Sequence, residues 1–331
     1  MKNTRITLAQ RPQGMIKTTD FELVKEEVSD PKVGEVLVRQ VFMSLDPAMR
    51  AWMDDDRDSY IPPVEIGETM RSLGVGVIEQ SKHDGFPVGT RVSGFFGWTE
   101  YSLSDGSDLT VLPDGVPLEH FIGVLGLPGL TAYHGLMEAL GAPEAGNTVL
   151  ISGAAGAVGS LVGQIAKAEG MRVIGVTGSD EKRRWLLDEL GFDAVVNYKT
   201  ENIAEKVREY APNGIDFHFE NVGGEILKVA LDNINENGKI VLCGLISTYN
   251  NVGETTGPDL IRVIKKRVTI KGFVIIDQMH RFNEIFEKLG GYLEKGQLKY
   301  RLDIVEGLEQ APAAINKLFD GSNQGKLVIR L

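Results

Sequence analysis

Residues 148–160 read TVLISGAAGAVGS: a short apolar, β-branched run, then glycines at 153, 156 and 159, then the start of an apolar-periodic stretch. A buried strand that turns on glycine straight into a helix leaves few folds open. It is one limb of a βαβ unit, and parallel βαβ units need helices on both faces of their sheet. The spacing is G-x-x-G-x-x-G in place of the more familiar G-x-G-x-x-G. The start of the helix presents unpaired N–H groups and a partial positive charge of about half a unit, which suits a pyrophosphate. Gly153 makes the turn, Gly156 lets backbone approach phosphate, and Gly159 lets helix and strand pack closely. Strand, glycine turn and helix together point to a dinucleotide.

The rest of the chain has two textures. Between residues 20 and 110, FELVKEEV (21–28), EVLVRQVFMSL (35–45), LGVGVIEQS (73–81), TRVSGFF (90–96) and TEYSLSD (99–105) are strand candidates separated by Gly/Pro turns. Short strands at this spacing predict a small barrel-like β domain. From residue 126 onward, apolar strands alternate with amphipathic helices: 171–177, 194–198, 215–221, 238–244 and 268–275 as strands, with helices over 180–190, 201–211 and 259–265. That alternation predicts a doubly wound parallel sheet, an α/β fold. A helical pattern over 279–294 then gives way to short strands at 301–305 and 326–330. The expected organisation is a dinucleotide-binding domain, 126–295, inserted in a β domain made of 1–125 and 296–331. A length of 331 residues fits two domains on a prior of about 150 residues each.

Charge and composition exclude several classes. Thirty-five basic against 46 acidic residues give a net charge of −11, which argues against a nucleic-acid partner. The single cysteine, Cys243, rules out an intramolecular disulfide. The first residues, MKNTRITLAQRPQG, have no apolar core of signal-peptide length, and the apolar stretch 121–133 is shorter than the roughly 20 residues of a membrane span. A cytoplasmic protein without membrane association is expected.

In an NAD site, an acidic residue at the end of the second strand accepts the ribose 2′-hydroxyl. Here the second strand ends in Gly178-Ser179-Asp180-Glu181-Lys182-Arg183-Arg184. Ser179 and Lys182 suit a 2′-phosphate, which takes hydroxyl donors and a cation, so NADP(H) is the expected cofactor. Asp180 is expected to cap the following helix.

A β domain carrying an inserted dinucleotide domain often holds a zinc alcohol dehydrogenase site, which needs Cys and His ligands. Ser44-Leu45-Asp46-Pro47 and Ile66-Gly67-Glu68-Thr69 supply neither, and His83, His120, His134, His218 and His280 are scattered. With no Lewis acid expected, a hydride acceptor must be polarised by conjugation, as an enone or enal is, and the charge that develops on its oxygen must meet a hydrogen-bond donor. Candidate donors are the cofactor's ribose hydroxyl, Tyr249, which follows a parallel strand at its carboxyl end, and Tyr60.

Beyond these patterns, the chain resembles a known family. MSLDPAMRAWM (43–53), YIPPVEIGETMRSLGVGVI (60–78), GLPGLTAYHGL (126–136), SGAAGAVGSLVGQIAK (152–167), GSDEKRRWL (178–186), FENVGGE (219–225), LCGLISTYN (242–250), GFVI (272–275) and GSNQGKLVI (321–329) resemble the zinc-free medium-chain dehydrogenase/reductases. Within these, they resemble the prostaglandin reductase/leukotriene B4 dehydrogenase group, with its bacterial curcumin reductases and plant alkenal double-bond reductases. The resemblance covers nearly the whole chain. It implies a Rossmann sheet inserted in a GroES-like β-barrel catalytic domain, NADPH-dependent reduction of the C=C bond of enones and enals, and a homodimer. It further implies that Ala155, Gly156, Ala157 and Val158 cover the pyrophosphate. Lys182 and Tyr198 would meet the 2′-phosphate side, and Asn221 the ribose or phosphate. Cys243, Gly244, Ser247 and Tyr249 would run along the cofactor, Phe273, Val274 and Ile275 would line the nicotinamide, and Asn323 would reach back from the C-terminal segment.

The chain departs from the family in two places. Ala48 stands where the family commonly has tyrosine, and IRVIKKRVTIK (261–271) lacks a tyrosine that some animal members carry. Two other functions remain open on this sequence: an NADPH quinone reductase on the same scaffold, and a non-catalytic NADPH-binding redox sensor.

Overall fold

The computed structural model describes residues 1–251 and 257–331. Residues 252–256, part of the loop 245–258 expected to shape the substrate pocket, lie outside the described residues. The chain divides into two compact units, Met1–Ile122 with Leu302–Leu331, and Gly123–Arg301.

The first unit opens with β1 (Lys2–Leu8) paired antiparallel to β2 (Phe21–Glu27). Strand β1 carries few apolar residues, and its polar Asn3 hides it from a hydrophobic pattern. Buried Asn3 instead ties the strand inward, its Oδ1 accepting from Thr99 Oγ1 and Tyr101 N–H at 3.0 Å each. The chain continues through β3 (Val36–Ser44), α1 (Met49–Trp52), β4 (Gly74–Ser81), β5 (Arg91–Gly94), β6 (Tyr101–Ser104), β7 (Thr110–Val111) and α2 (Leu118–Ile122).

The second unit begins with α3 (Leu127–Tyr133), where Pro128 occupies the first turn, a position that needs no N–H. A π-helical turn, His134–Glu138, extends it. Then come β8 (Thr148–Ile151), α4 (Ala157–Ala168), β9 (Arg172–Thr177), α5 (Asp180–Arg184), β10 (Ala194–Asn197) and α6 (Ile203–Tyr210). They are followed by β11 (Ile215–Glu220), α7 (Gly224–Asn233), β12 (Ile234–Leu242), α8 (Ile261–Lys266) and β13 (Thr269–Gly272). Strand β12 starts ahead of the expected residue 238, because a register shift against β11 lets the Ile234 end pair as well. Strand β13 stops at Gly272, so Phe273–Ile275 lie beyond it, and a 3-10 stretch (Ile275–Arg281) leads into α9 (Phe282–Glu294).

The chain then returns to the first unit as β14 (Leu302–Glu306), α10 (Ala311–Ala314), α11 (Lys317–Asp320) and β15 (Lys326–Arg330). One long strand, β3, organises that unit's sheet. Along one edge, its first half (36–39) pairs with β6 and its last residues (42–44) with β15, while β4 runs along its length. Beneath lies a core of Ile6, Met43, Met49, Trp98, Leu327 and Ile329, all almost fully buried. Partly buried Ala48 packs against this core.

In the second unit the parallel strands run in the order β10-β9-β8-β11-β12-β13. Strands β8, β9 and β10 are buried almost throughout, as strands covered by helices on both faces must be.

Candidate functional site

The strand order reverses between β8 and β11, and in open parallel sheets ligands bind at such a point, beyond the carboxyl ends of the strands. The glycine turn leaves β8 here. Gly153 has φ +57°, a left-handed conformation that side chains disfavour. At Gly159 a Cβ would stand 2.5 Å from Gly153 O and 2.9 Å from Ala154 Cα, so helix α4 reaches its strand only because that position is glycine.

Gly156 precedes α4 with extended backbone, and no side chain caps the helix. The first-turn N–H groups, those of Ala157 and Val158 among them, have no acceptor within the helix. A Cβ at Gly156 would meet only Gly153 O, at 3.2 Å, and otherwise open space. An uncapped helix start beside open space fits a pyrophosphate. Ala155, between the glycines, is buried.

Across the switch point, Asn221 donates its backbone N–H to Ser152 Oγ and its Nδ2 to Ser152 O, both at 2.7 Å. Buried Glu220 takes Ser152 Oγ and the N–H groups of Val222 (2.6 Å) and Gly223 (2.9 Å), and pairs with buried His218 Nε2 at 2.9 Å. Burial alone would raise the Glu220 carboxyl; the charge and hydrogen bond of His218, with Ser152 and the Gly223 N–H, outweigh it and hold the group below the usual carboxylate range. None of Ser152, His218 and Glu220 was expected at the site. The available signal is a histidine and a glutamate two residues apart, on one face of a strand that must be buried on both.

The next loop lies over Val222. Cys243 and Gly244 donate their N–H groups to Glu220 O, and Ser247 Oγ donates to Val222 O at 2.6 Å. Burial pushes the Cys243 thiol up to about 12, so it stays protonated at neutral pH. Tyr249 Oη accepts from Leu245 N–H at 3.2 Å, which turns the ring back over Gly244.

At the end of β9, Ser179 caps α5, its Oγ accepting from Lys182 N–H at 3.2 Å. The cap expected at Asp180 is therefore one residue earlier; Asp180 stands in the first turn and accepts from Asn197 Nδ2 at 2.8 Å. A hydroxyl that accepts from the backbone still has its own proton to donate, so capping and phosphate binding are compatible at Ser179. Exposed Tyr198 leans over Gly178, where a Cβ would come within 3.1 Å of its hydroxyl. Arg183 pairs with Glu201 at 3.2 Å.

Phe273 turns its ring toward α3, against His134 (centroids 5.3 Å apart) and Gly135, where a Cβ would clash with it at 2.9 Å. His134 Nδ1 lies 2.8 Å from Glu138 Oε2, and Arg281 holds both Glu138 oxygens at 2.6 and 2.8 Å.

The second unit therefore gathers the glycine turn, Asn221, the 243–249 loop, Ser179 and Tyr198 at the carboxyl ends of its strands. Tyr60 and Asn323 belong to the first unit. Tyr60 Oη, on a half-exposed ring, accepts from Trp52 Nε1 at 3.1 Å, and buried Asn323 donates Nδ2 to Gly325 O at 3.0 Å. A surface depression of about 690 Å³ in the first unit, between Phe42, Arg91, Leu118 and Arg330, includes none of the expected site residues. Among the described residues, no group of three or more His, Cys, Asp or Glu is arranged to hold a metal ion.

Comparison with known proteins extends this picture. Residues 4–112 match the family described as the N-terminal domain of oxidoreductase, and residues 157–290 the one described as zinc-binding dehydrogenase. The described residues do not fit the zinc in that second description. The chain is 40% identical to the NADPH-dependent curcumin reductase of Escherichia coli, over all of this chain and 97% of that one. It is 38% identical to prostaglandin reductase 1 of Bos taurus, over 98% of each. The crystal structure of CurA in complex with NADPH from Vibrio vulnificus superimposes with a TM-score of 0.94 at 40% identity, covering 99% of this chain and 98% of that one.

Proposed function

Because the chain belongs to the zinc-free medium-chain dehydrogenase/reductases, in the group of the curcumin and prostaglandin reductases, we propose that it is an NADPH-dependent reductase of the activated C=C bond of α,β-unsaturated ketones and aldehydes. The observation that carries this reading is the extent of the likeness: 40% identity runs through both units, the β unit as well as the dinucleotide unit.

Bound NADPH supplies the hydride, which goes to the β-carbon of the substrate. The chain's own groups then have three tasks. The start of α4, with Ala155, Gly156, Ala157 and Val158, holds the pyrophosphate. Ser179, Lys182 and Tyr198 hold the 2′-phosphate, and Asn221 the ribose or phosphate beside the glycine turn. The loop Cys243, Gly244, Ser247, Tyr249 and the stretch Phe273, Val274 and Ile275 run along the nicotinamide half, and Asn323 is assigned to the cofactor as well. As hydride adds to the β-carbon, negative charge gathers on the carbonyl oxygen, and the α-carbon then takes a proton, giving the saturated carbonyl compound. Tyr249 and Tyr60 are the hydroxyls assigned to stabilise that oxygen.

The dinucleotide-binding domain is the stretch near 126–295, and the rest forms the GroES-like catalytic domain. Two copies pair as a homodimer, and the exposed Leu260, Ile261 and Ile264 of the α8 segment are the apolar residues assigned to that contact. A location in the cytoplasm suits a chain with one cysteine and a reducing cofactor. No helix of the described residues is long and apolar enough to cross a membrane.

A panel of enones, enals, quinones and saturated alcohols, run with NADPH and NADH in parallel, tests the assignment. Saturated ketone or aldehyde as product, with preference for NADPH and activity intact after chelation, is the expected result. Hydroquinone as the only product assigns quinone reduction instead, and tight NADPH binding with no turnover on any substrate assigns a sensor.

A further inference from the structure

A histidine and a glutamate, both fully shielded from solvent, meet at the switch point of the sheet without reaching the ligand space. His218 Nδ1 lies 3.0 Å from Leu150 O, an oxygen that can only accept, so Nδ1 carries a proton. Nε2 faces Glu220 Oε2 at 2.9 Å. The other carboxylate oxygen, Oε1, takes three donors: the Ser152 hydroxyl and the N–H groups of Val222 and Gly223. The carboxyl is held below the usual carboxylate range, so Oε2 is an acceptor facing Nε2. An ion pair so buried recovers its desolvation cost only through good geometry and further hydrogen bonds, and here every further bond of the carboxylate goes to Ser152 or to the 221–223 loop, at the crest of the sheet.

The crest is thereby tied together. Ser152, which opens the glycine turn, donates to Glu220 and accepts from Asn221 N–H at 2.7 Å. Val222 and Gly223, which start the next βα loop, hang on the same oxygen. We propose that His218 and Glu220 are positioning residues for the cofactor: the ion pair fixes the glycine turn and the 221–223 loop against each other, and dinucleotide affinity depends on Glu220 remaining a carboxylate. This rests on reading the glycine turn as the cofactor site.

The titratable groups facing Glu220 are few. They are His218 on its own strand and the protonated Cys243 thiol beyond β12; β8 contributes Ser152, and the approach to α7 contributes N–H groups. With His218 present, the carboxyl stays ionised from neutral pH down through the ordinary carboxylate range. With His218 replaced by a neutral residue, the Ser152 hydroxyl and the Gly223 N–H remain but the largest influence opposing burial is gone, and the carboxyl moves up. A protonated Glu220 has lost acceptor capacity, and the two loops loosen.

NADP⁺ and NAD⁺ affinity measured across pH 5 to 8, on wild type, His218→Gln, Glu220→Gln and Ser152→Ala, tests the proposal. His218→Gln weakens both dinucleotides by the same factor, roughly 10-fold at neutral pH, because the pair does not face the 2′-phosphate. It also creates an acid limb in affinity within this range that wild type lacks. Glu220→Gln weakens binding without any such limb. Should the charge-removing variants not fold, Ser152→Ala leaves the ion pair whole and still weakens both dinucleotides equally, by about 3-fold. A pH-independent loss in His218→Gln, or unchanged affinity in Ser152→Ala, overturns the proposal while leaving the cofactor site standing. Wild type that binds neither dinucleotide overturns both.

Discussion

Lys182 and Ser179 share one short helix start yet have separable consequences. In the proposed site, Lys182 of α5 is the cation assigned to the 2′-phosphate that distinguishes NADPH from NADH. Lys182→Ala should weaken NADPH by roughly 10-fold, the scale of one charge-assisted hydrogen bond, and leave NADH almost unchanged. Equal losses in fluorescence titrations with both cofactors would remove Lys182 from the site. Ser179 also closes α5, so Ser179→Ala carries a stability cost of about 1 kcal/mol, seen in urea unfolding without cofactor. Tyr249 poses a kinetic question. Its hydroxyl accepts a backbone N–H. Tyr249→Phe should lower kcat by roughly 10²-fold, well beyond its effect on NADPH affinity; equal and small changes in both would leave the oxyanion to another donor.

Elements are held by contacts that a residue-by-residue view misses. Helix α4 packs on β8 across the bare Cα of Gly159, and Gly159→Ala should cost about 1–3 kcal/mol of stability through overpacking, read as an earlier urea midpoint. The π turn at His134–Glu138 is tied to the 3-10 stretch by Arg281. Burial would raise the Glu138 carboxyl, but Arg281 and His134 outweigh it and hold the group low. Glu138 and Glu220 are both depressed in the folded state, so each adds stability in full above the ordinary carboxylate value and loses it as pH falls through its folded pKa. Thermal unfolding should therefore change little from pH 8 to 5 on their account and drop below about pH 4.3. Glu138→Gln should flatten part of that acid drop; an unaltered drop would show that the tie to Arg281 adds nothing.

For the whole molecule, the net charge of −11 argues against a nucleic-acid partner, and the proposed homodimer is open to a direct test. Light scattering should report a dimer, and Ile264→Lys should shift it toward monomer; a wild-type monomer at micromolar concentration would end that assignment. The sequence by itself determined the alternation of strands and helices from β8 to β13, because apolar periodicity and glycine turns are local properties of the chain. It also determined the strand, glycine turn and helix start at residues 148–160. It did not reveal β1, whose apolar pattern is interrupted by a buried asparagine, nor that Ser179, one residue before Asp180, caps α5. Only the tertiary structure decided that the His218–Glu220 charge lies under the cofactor turn. Its meaning depends on β8 lying beside β11, an adjacency set by strands some 65 residues apart in the chain, for which no local pattern exists.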